Sequence, residues 1–259
     1  MLIFILSAVY YSTLNRSFKG KVVDVVLVEP IYPINLGIIA RTIKNFNIGN
    51  LVLVNPITDL IERAIVYSAR GAEVLNRAEV YLSLNELRTK YDLLVGTTAK
   101  SSIKPSLVRD LLTPKDLADI VYRYDRVAIV FGREDIGLKN SELELMDVNV
   151  KIPASDLYPT LNLAISVGIV LYELYSSRST GGQMKAASWN ERLLLISTVS
   201  SLLKSLGLSE ELVEKSQRAL QNITARSVSS EKEIMTLQAA FNKATILLKK
   251  LRLETHENI

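Results

Sequence analysis

The sequence contains no cysteine and a single histidine, His256, among its 259 residues. Without cysteine, a disulfide framework, a thiolate zinc site and a cysteine nucleophile are all excluded. One histidine also makes a histidine-based metal centre or a Ser-His-Asp triad a poor hypothesis, so we expect no bound metal. The absence of cysteine fits the reducing cytoplasm, where we expect the protein to be located.

Long apolar runs are missing as well. No stretch reaches about 18 uninterrupted apolar residues, which a membrane-spanning helix would require. The chain begins with the apolar run 1–6, but no basic residue precedes it, and the stretch to Tyr11 is too short to cross a bilayer. A signal peptide is therefore the less favoured interpretation. We expect residues 1–20 to be an N-terminal extension and the protein to have no membrane partner.

The two common glycine-rich nucleotide motifs are absent too. The sequence has neither the G-x-G-x-x-G fingerprint nor the P-loop, which disfavours NAD and ATP as ligands. The charge balance is weakly basic: the net charge is +4, and the segment from Lys185 onward carries 11 basic and 8 acidic residues. Such a surplus favours nucleic acid as a partner, although a solvated helical surface would have the same composition.

Short apolar runs alternate with helical patterns from Lys21 onward, which predicts an α/β fold with a parallel sheet covered by helices on both faces. Apolar residues at helical spacing between 36 and 46 predict one helix, Thr113 and Pro114 suit the start of another, and 161–175 forms a long apolar helix. The predicted strands are Val22–Val28, Leu51–Val54, Leu93–Val95, Val127–Phe131 and Val148–Ile152.

The composition changes after Arg178, where small and polar residues predict a linker over 179–188. Beyond it the pattern indicates three helices and no strand. The first runs over 189–206 and ends at Gly207, Ser209 caps the second, and the third follows Ser229 and Ser230 and reaches about Leu253. We therefore predict an α/β domain over 21–178 and a small all-α module over 189–259.

Polar clusters follow several predicted strands, at the edge where open α/β sheets bind ligands. After the first strand, Asn35, Gly37 and Arg41 surround the start of a helix, with Arg41 about one turn in and beside Lys44, where the two could hold a phosphate. The alternative is that Asn35 merely caps the helix and Arg41 is a surface charge.

The other clusters are equally ambiguous when each is considered alone. Residues 131–138 place Gly132 and Glu134 after a buried strand, but this segment could be a simple turn with a solvated charged loop. Thr160 and Asn162 open the long apolar helix and could be an N-cap pair. Residues 96–100 suit a nucleoside or a turn.

In order, these segments resemble the three motifs of SPOUT-class RNA methyltransferases. The matching patterns are Asn35-x-Gly37-x-x-Ala40-Arg41, Phe131-Gly132-x-Glu134-x-x-Gly137-Leu138 and Thr160-Leu161-Asn162-Leu163-Ala164. Segments 40–46, 53–56 and 96–99 are most similar to the TrmJ subfamily. The resemblance implies a trefoil-knotted sheet, AdoMet as methyl donor, and a homodimer whose sites are completed across the interface. It further implies a tRNA substrate methylated on the ribose 2′-hydroxyl of nucleotide 32.

Carried over by position, the resemblance assigns catalytic roles to Arg41, Glu134, Asn162, Asn35 and Thr160, which replaces a serine of the family. It assigns AdoMet binding to Thr97, Thr98, Ala99, Gly132, Ile152, Pro159, Thr160 and Leu161. A charged guanidinium has no lone pair, so we favour Arg41 as an electrostatic clamp over Arg41 as general base. From charge and position, we predict RNA binding by Arg41, Lys44, Lys185, Arg192, Lys204, Lys215, Arg218 and Arg226.

Two other functions remain open at this stage. One is a methyltransferase of the same class that acts on rRNA or on another tRNA position, and the other is a catalytically silent RNA-binding adaptor. The retention of Arg41, Glu134 and Asn162 argues against the adaptor. The sequence leaves undecided whether cytidine, uridine or both are accepted, which tRNAs are used, and what residues 1–19 do.

Overall fold

A computed structural model of the chain describes residues 21–99, 111–177 and 185–257. Their contacts define two compact units, an α/β unit that comprises the described residues up to 177 and a helical unit over 185–257. The predicted extension 1–20 and residues 179–184 of the predicted linker lie outside the described residues. None of the described helices combines the length and apolarity needed to cross a membrane.

The α/β unit is built on a six-stranded sheet in which every pairing is parallel, as the sequence predicts. Along the sheet the strand order is β3-β2-β1-β5-β4-β6. Five of these strands, all except β3, are almost wholly buried, as expected of strands that helices cover on both faces. The strands are β1 (Val22–Val28), β2 (Leu51–Val54), β3 (Glu79–Tyr81), β4 (Leu93–Thr97), β5 (Arg126–Phe131) and β6 (Val148–Val150).

Edge strand β3 is the one strand that the sequence did not predict. It has three residues, and two of them are exposed, so it shows neither a buried run nor a clear alternation. It forms by pairing with β2, which no local sequence pattern indicates.

Six helices in the described part of this unit accompany the sheet. They are α1 (Pro33–Phe46), α2 (Leu60–Ser68), α3 (Ala72–Asn76), α4 (Pro114–Val121), α5 (Asn140–Glu144) and α6 (Leu163–Ser176), and single 3-10 turns cover Ala69–Gly71 and Leu84–Leu87. As predicted, Thr113 caps α4, with Pro114 in the first turn. Helix α1 begins at Pro33 with Tyr32 as its N-cap, so Asn35 is not its cap, and Arg41 lies about two turns in rather than one.

Parallel strand direction brings distant loops to one edge of the sheet. Leu27 of β1 pairs with Phe131 of β5, and Thr97 at the end of β4 pairs with Val150 at the end of β6. The chain therefore leaves β1, β4, β5 and β6 at the same carboxyl edge. The polar clusters singled out in the sequence all follow these strand ends.

The helical unit contains α7 (Trp189–Ser205), α8 (Glu210–Arg226) and α9 (Glu231–Glu257). Ser188 and Ser209 cap α7 and α8 through their hydroxyl groups, and Gly207 takes a left-handed conformation with φ of 81° after α7, as its position predicts. Ala187 packs with Leu195 in the core of this unit. The predicted linker 179–188 therefore ends before this residue.

Candidate active site

A cavity of about 390 Å³ opens at the carboxyl edge of the sheet, between the loops that follow β4, β5 and β6. Its volume lies within the range of small-molecule sites. All eight residues to which the resemblance assigns AdoMet binding line this cavity: Thr97, Thr98, Ala99, Gly132, Ile152, Pro159, Thr160 and Leu161. The structure therefore brings together residues from three separate loops.

The lining suits a ligand that has both an apolar ring and a positive charge. Ile152, Leu161 and Leu138 provide apolar surface, whereas Glu134 and Asp135 add acidic residues to the same lining. Among the described residues, no three histidine, aspartate or glutamate side chains are grouped closely enough to hold a metal ion.

Gly132 lets the loop after β5 fold back on itself. A Cβ atom at this position would lie 2.1 Å from the carbonyl carbon of Gly137 and 2.2 Å from the amide nitrogen of Leu138. Real Cβ atoms do not approach backbone so closely, so a side chain here would force the loop open. Gly137 itself has a positive φ of 69°, which glycine adopts without strain.

Buried Arg133 ties this loop to two other elements. Its Nε donates to Glu29 Oε2 at 2.7 Å, at the end of β1, while its two terminal nitrogens donate to the Glu142 carboxylate of α5 at 3.0 and 2.8 Å. It also donates to the carbonyl oxygen of Gly137 at 3.3 Å. The alternative of a solvated loop is therefore wrong for Arg133. The sequence held no signal for these partners, because they lie far apart along the chain or on a different element.

The pairing shifts the acidity of both carboxyl groups. Hydrogen bonding from Arg133 lowers the pKa of Glu29 despite partial desolvation. Burial raises the pKa of Glu142, but hydrogen bonds from Arg133 and from the Lys139 amide outweigh it, and the net pKa is lowered. Both carboxylates are thus stabilised in their charged form by the cation that they hold.

Replacing Glu142 with glutamine should remove an acid-sensitive contribution to stability. The folded pKa of Glu142 lies below its ordinary value of 4.5, so the contribution is fully present above about pH 4.5 and is lost as pH falls through the lower folded value. We expect E142Q to have a clearly lower Tm than the parent at pH 7, and the difference to shrink toward about pH 3. Thermal unfolding across this pH range measures it.

The matched control is E211Q, which breaks the exposed pair of Glu211 with Lys215 in α8. Exposed pairs contribute little, so this variant should follow the parent at every pH. A difference between E142Q and the parent that stays constant from pH 7 to 3 would contradict the assignment.

Glu134 joins the loop after β5 to the start of α1. Its carboxylate accepts hydrogen bonds from the backbone amides of Ile31 and Tyr32 at 3.1 and 3.2 Å, and from the side-chain amide of Asn35 at 3.1 Å. A carboxylate at a helix N-terminus also interacts favourably with the helix dipole. Glu134 is therefore an ordered acceptor rather than a solvated charge.

Asn162 extends this contact to the third motif. Its side-chain nitrogen donates to Asn35 Oδ1 at 3.1 Å, and its Oδ1 accepts from the amides of Ala164 and Ile165. Asn162 is thus the N-cap of α6, as the simpler interpretation has it, and it also contacts the first motif. Glu134, Asn35 and Asn162 form one polar chain that links all three motifs beside the cavity.

Arg41 lies on an exposed face of α1 and is absent from the residues that line the cavity. One turn before it, Ile38 borders a groove between α1 and α6 that Asn35 and Asn162 also line. Within a single chain, the arginine that the resemblance makes catalytic is therefore separate from the cavity. Neighbouring Lys44 pairs with Glu73 at 2.7 Å, so its charge is partly neutralised.

One residue predicted to bind RNA is wrongly assigned. Arg192 is completely buried, and its guanidinium carbon lies 5.6 Å from the Trp189 ring centroid. It shares the core face of α7 with Leu195 and Val199 at helical spacing, a pattern that was already visible in the sequence. The other predicted RNA-binding residues of this unit are exposed, except for half-buried Arg226: Lys185, Lys204, Lys215 and Arg218.

Comparison with known proteins identifies the family of this chain. Residues 23–172 match the model of the SpoU rRNA Methylase family. The tRNA (cytidine-2′-O-)-methyltransferase TrmJ of Sulfolobus acidocaldarius is 33% identical over 229 residues, which are 88% of this chain and 95% of that protein. The protein of the same name from Methanocaldococcus jannaschii is 32% identical over 225 residues, 85% of this chain and 98% of that protein.

Solved structures agree with these matches. A probable methylase family protein from Haemophilus influenzae superposes with a TM-score of 0.61 and 28% identity, over 90% of this chain and 99% of its own. TrmJ from Z. mobilis superposes with a TM-score of 0.62 and 24% identity, over 86% of this chain and 99% of its own. The second likeness concerns the fold alone.

Proposed function

This chain belongs to the SpoU rRNA methylase family, and from that premise we propose that it is an AdoMet-dependent tRNA 2′-O-methyltransferase that acts at position 32. The polar chain through Glu134, Asn35 and Asn162 carries the proposal, because it joins all three motifs beside one cavity. The archaeal relatives, which align over nearly their whole length, are named as tRNA cytidine 2′-O-methyltransferases. Because the proposed substrate is tRNA, we place the protein in the cytoplasm.

The cavity fits AdoMet. Apolar Ile152 and Leu161 suit the adenine ring, the acidic residues of the lining suit the positive charges, and Gly132 leaves the wall free of a side chain. The side-chain hydroxyl of Thr97 donates to the carbonyl oxygen of Val130 at 3.0 Å, which fixes the loop after β4 against β5. When bound, AdoMet supplies a methyl group on a positively charged sulfur that leaves as a neutral thioether.

The protein's own residues have mainly to orient the ribose and receive its proton. Correct orientation of two reactants can supply about 7–11 kcal/mol of a barrier. Arg41 holds the ribose or its phosphate and stabilises the negative charge that develops on the 2′-oxygen. The Thr160 hydroxyl lines the cavity and passes the departing proton to water. Glu134 and Asn162 keep the loops in place around the reacting ribose.

A homodimer reconciles Arg41 with the cavity. We define the α1–α6 face by Ile34 and Ile38 of α1 and by Ile165 and Tyr172 of α6, whose side chains remain 39–57% exposed. An apolar surface of this kind marks a protein interface. Arg41 lies one turn beyond Ile38 on this face, so a second copy packed here would receive the arginine next to its own loops.

We further propose that residues 21–178 form the methyltransferase domain and that the helical module over 189–259 binds tRNA. Replacing Lys185, Lys204 and Arg218 together with glutamine should weaken tRNA binding about 10-fold or more and lower the salt dependence of Kd, because phosphate contacts release counterions. AdoMet affinity should stay unchanged. Filter binding at several salt concentrations and calorimetry measure the two quantities. Unchanged tRNA affinity in the triple variant would rule out this role.

The decisive test of the function is to map the methylated nucleotide. Purified protein is incubated with labelled AdoMet and unmodified tRNA transcripts that carry C or U at position 32, and the product is sequenced for ribose methylation. We expect a methyl group on nucleotide 32 and none when that 2′-hydroxyl is replaced by hydrogen. Methylation elsewhere, or of rRNA only, would identify the same chemistry with another substrate. Tight RNA binding without transfer would indicate the silent adaptor.

A further inference from the structure

The 3-10 turn Ala69–Gly71 packs directly on the backbone of Arg41. A Cβ atom at Gly71 would lie 2.7 Å from the Arg41 amide nitrogen and 2.9 Å from its Cα. No side chain larger than hydrogen fits between the turn and α1. The turn therefore sets where the backbone of Arg41 lies. Arg70, the residue directly before Gly71, belongs to the same turn.

This turn is held in a strained conformation. Ala69 has φ of 46° and ψ of −116°, a region that alanine rarely adopts. Ser68 before it is fully buried and donates its hydroxyl to the carbonyl oxygen of Ile65 at 2.7 Å. Strain of this kind persists only where the surrounding packing imposes it, and it concentrates at functional sites.

The turn also carries uncompensated positive charge. Three basic residues lie at or near the turn: Arg41, Lys44 and Arg70. The charge of Lys44 is neutralised, because its ammonium lies 2.7 Å from a carboxylate oxygen of Glu73 and 2.7 Å from the carbonyl oxygen of Arg70. Arg41 and Arg70 are both exposed. Within residues 21–99, 111–177 and 185–257, neither guanidinium forms an ion pair or a side-chain hydrogen bond.

From these observations we propose that Arg70 is a second phosphate-binding residue that grips the RNA backbone next to Arg41. The proposal rests on the proposed function in that it takes RNA as the ligand. A guanidinium binds phosphate through two parallel hydrogen bonds, and two such groups on adjoining backbones hold the strand at two points. Arg70 then positions the strand, while Arg41 contacts the reacting nucleotide.

The test compares R70Q and R70K with the full-length parent. For R70Q we expect tRNA affinity to fall about 5-fold or more near 0.1 M salt, and the slope of log Kd against log salt to decrease by about 0.7–0.9, the share of one phosphate contact. R70K should keep the slope but lose affinity, because charge is retained without the bidentate geometry. AdoMet affinity should be unchanged in both variants.

The control is R126Q, which removes an exposed arginine at the amino end of β5, the edge of the sheet opposite the cavity. It should leave both affinity and slope at parental values. An R70Q protein with parental tRNA affinity and slope, while the parent methylates tRNA, would overturn the proposal and leave the function intact. A parent that binds RNA but transfers no methyl group would refute the function, and the slope would still decide the role of Arg70.

Discussion

Replacing Gly132 with alanine should lower AdoMet affinity at least about 100-fold, equivalent to roughly 2.8 kcal/mol. The added Cβ would lie 2.1 Å from the Gly137 carbonyl carbon and 2.2 Å from the Leu138 amide nitrogen, and this peptide bond cannot yield as a flexible side chain would. The loop must open, and with it the wall of the cavity that carries Glu134. Isothermal titration calorimetry measures the affinity directly.

G207A is the matched control for this glycine substitution. Gly207 lies in the helical unit, has a φ of 81° and would place its Cβ in open space, so alanine there introduces only the strain of a left-handed residue. This variant should bind AdoMet like the parent. Thermal unfolding of G132A shows whether the variant is still folded. Overpacking lowers the free energy of unfolding by about 1–3 kcal/mol, which a folded protein with an opened loop can tolerate. Parental AdoMet affinity in a folded G132A would mean that this cavity is not the cofactor site.

The cavity wall was predictable because its residues belong to short local motifs. Glycine and threonine at strand ends indicate a ligand site where parallel strands end at the same edge of a sheet. The AdoMet-binding set carried over from the resemblance, for example Thr97, Gly132 and Leu161, accordingly lines one cavity. The burial of β1, β2 and β5 was equally visible, because continuous β-branched runs suit strands covered on both faces.

The ion-pair network behind the wall was not predictable. Arg133 pairs with Glu29, 104 residues earlier in the chain, and no local spacing encodes a contact of that length. The error at Arg192 has another origin: charge and position in the module predict RNA contact, although the helical period of α7 places this residue on the buried face. Lone charges in a helix predict function poorly until their face is known.

The position of Arg41 decides whether one chain or two supply the residues of the active site. The three motifs meet in one chain through Glu134, Asn35 and Asn162, yet Arg41 belongs to the exposed α1–α6 face and does not line the cavity. The backbone of α1 around Arg41 is held by close glycine packing at two points, one helical turn apart. Gly37 contacts α2 and Gly71 contacts Arg41, each with backbone closer than 3 Å to the position of an added Cβ. Both contacts fix the backbone of α1 at Arg41, outside the cavity of its own chain, as the proposed dimer requires.

Replacing Arg41 with alanine should lower kcat about 100- to 1000-fold, the usual cost of losing one donor to a developing oxyanion. AdoMet affinity should stay parental, because Arg41 does not line the cavity. R41K should be nearly as impaired, since an ammonium cannot reproduce the guanidinium fork. Single-turnover methylation at saturating tRNA measures the chemical step. An R41K enzyme that retains most of its kcat would contradict the bidentate clamp.

Mixing the two inactive proteins then tests whether the site crosses the dimer. Subunits of R41A and G132A, exchanged at equal concentration, form mixed dimers in which the intact cavity of one subunit meets the intact Arg41 of the other. In a twofold dimer this restores one native site per mixed dimer and about a quarter of parental activity. If each chain supplied its own arginine, every site would carry a defect and the mixture would stay inactive. Sedimentation velocity checks that both variants remain dimers. If they do and the mixture is still inactive, Arg41 and the cavity of one site belong to the same chain.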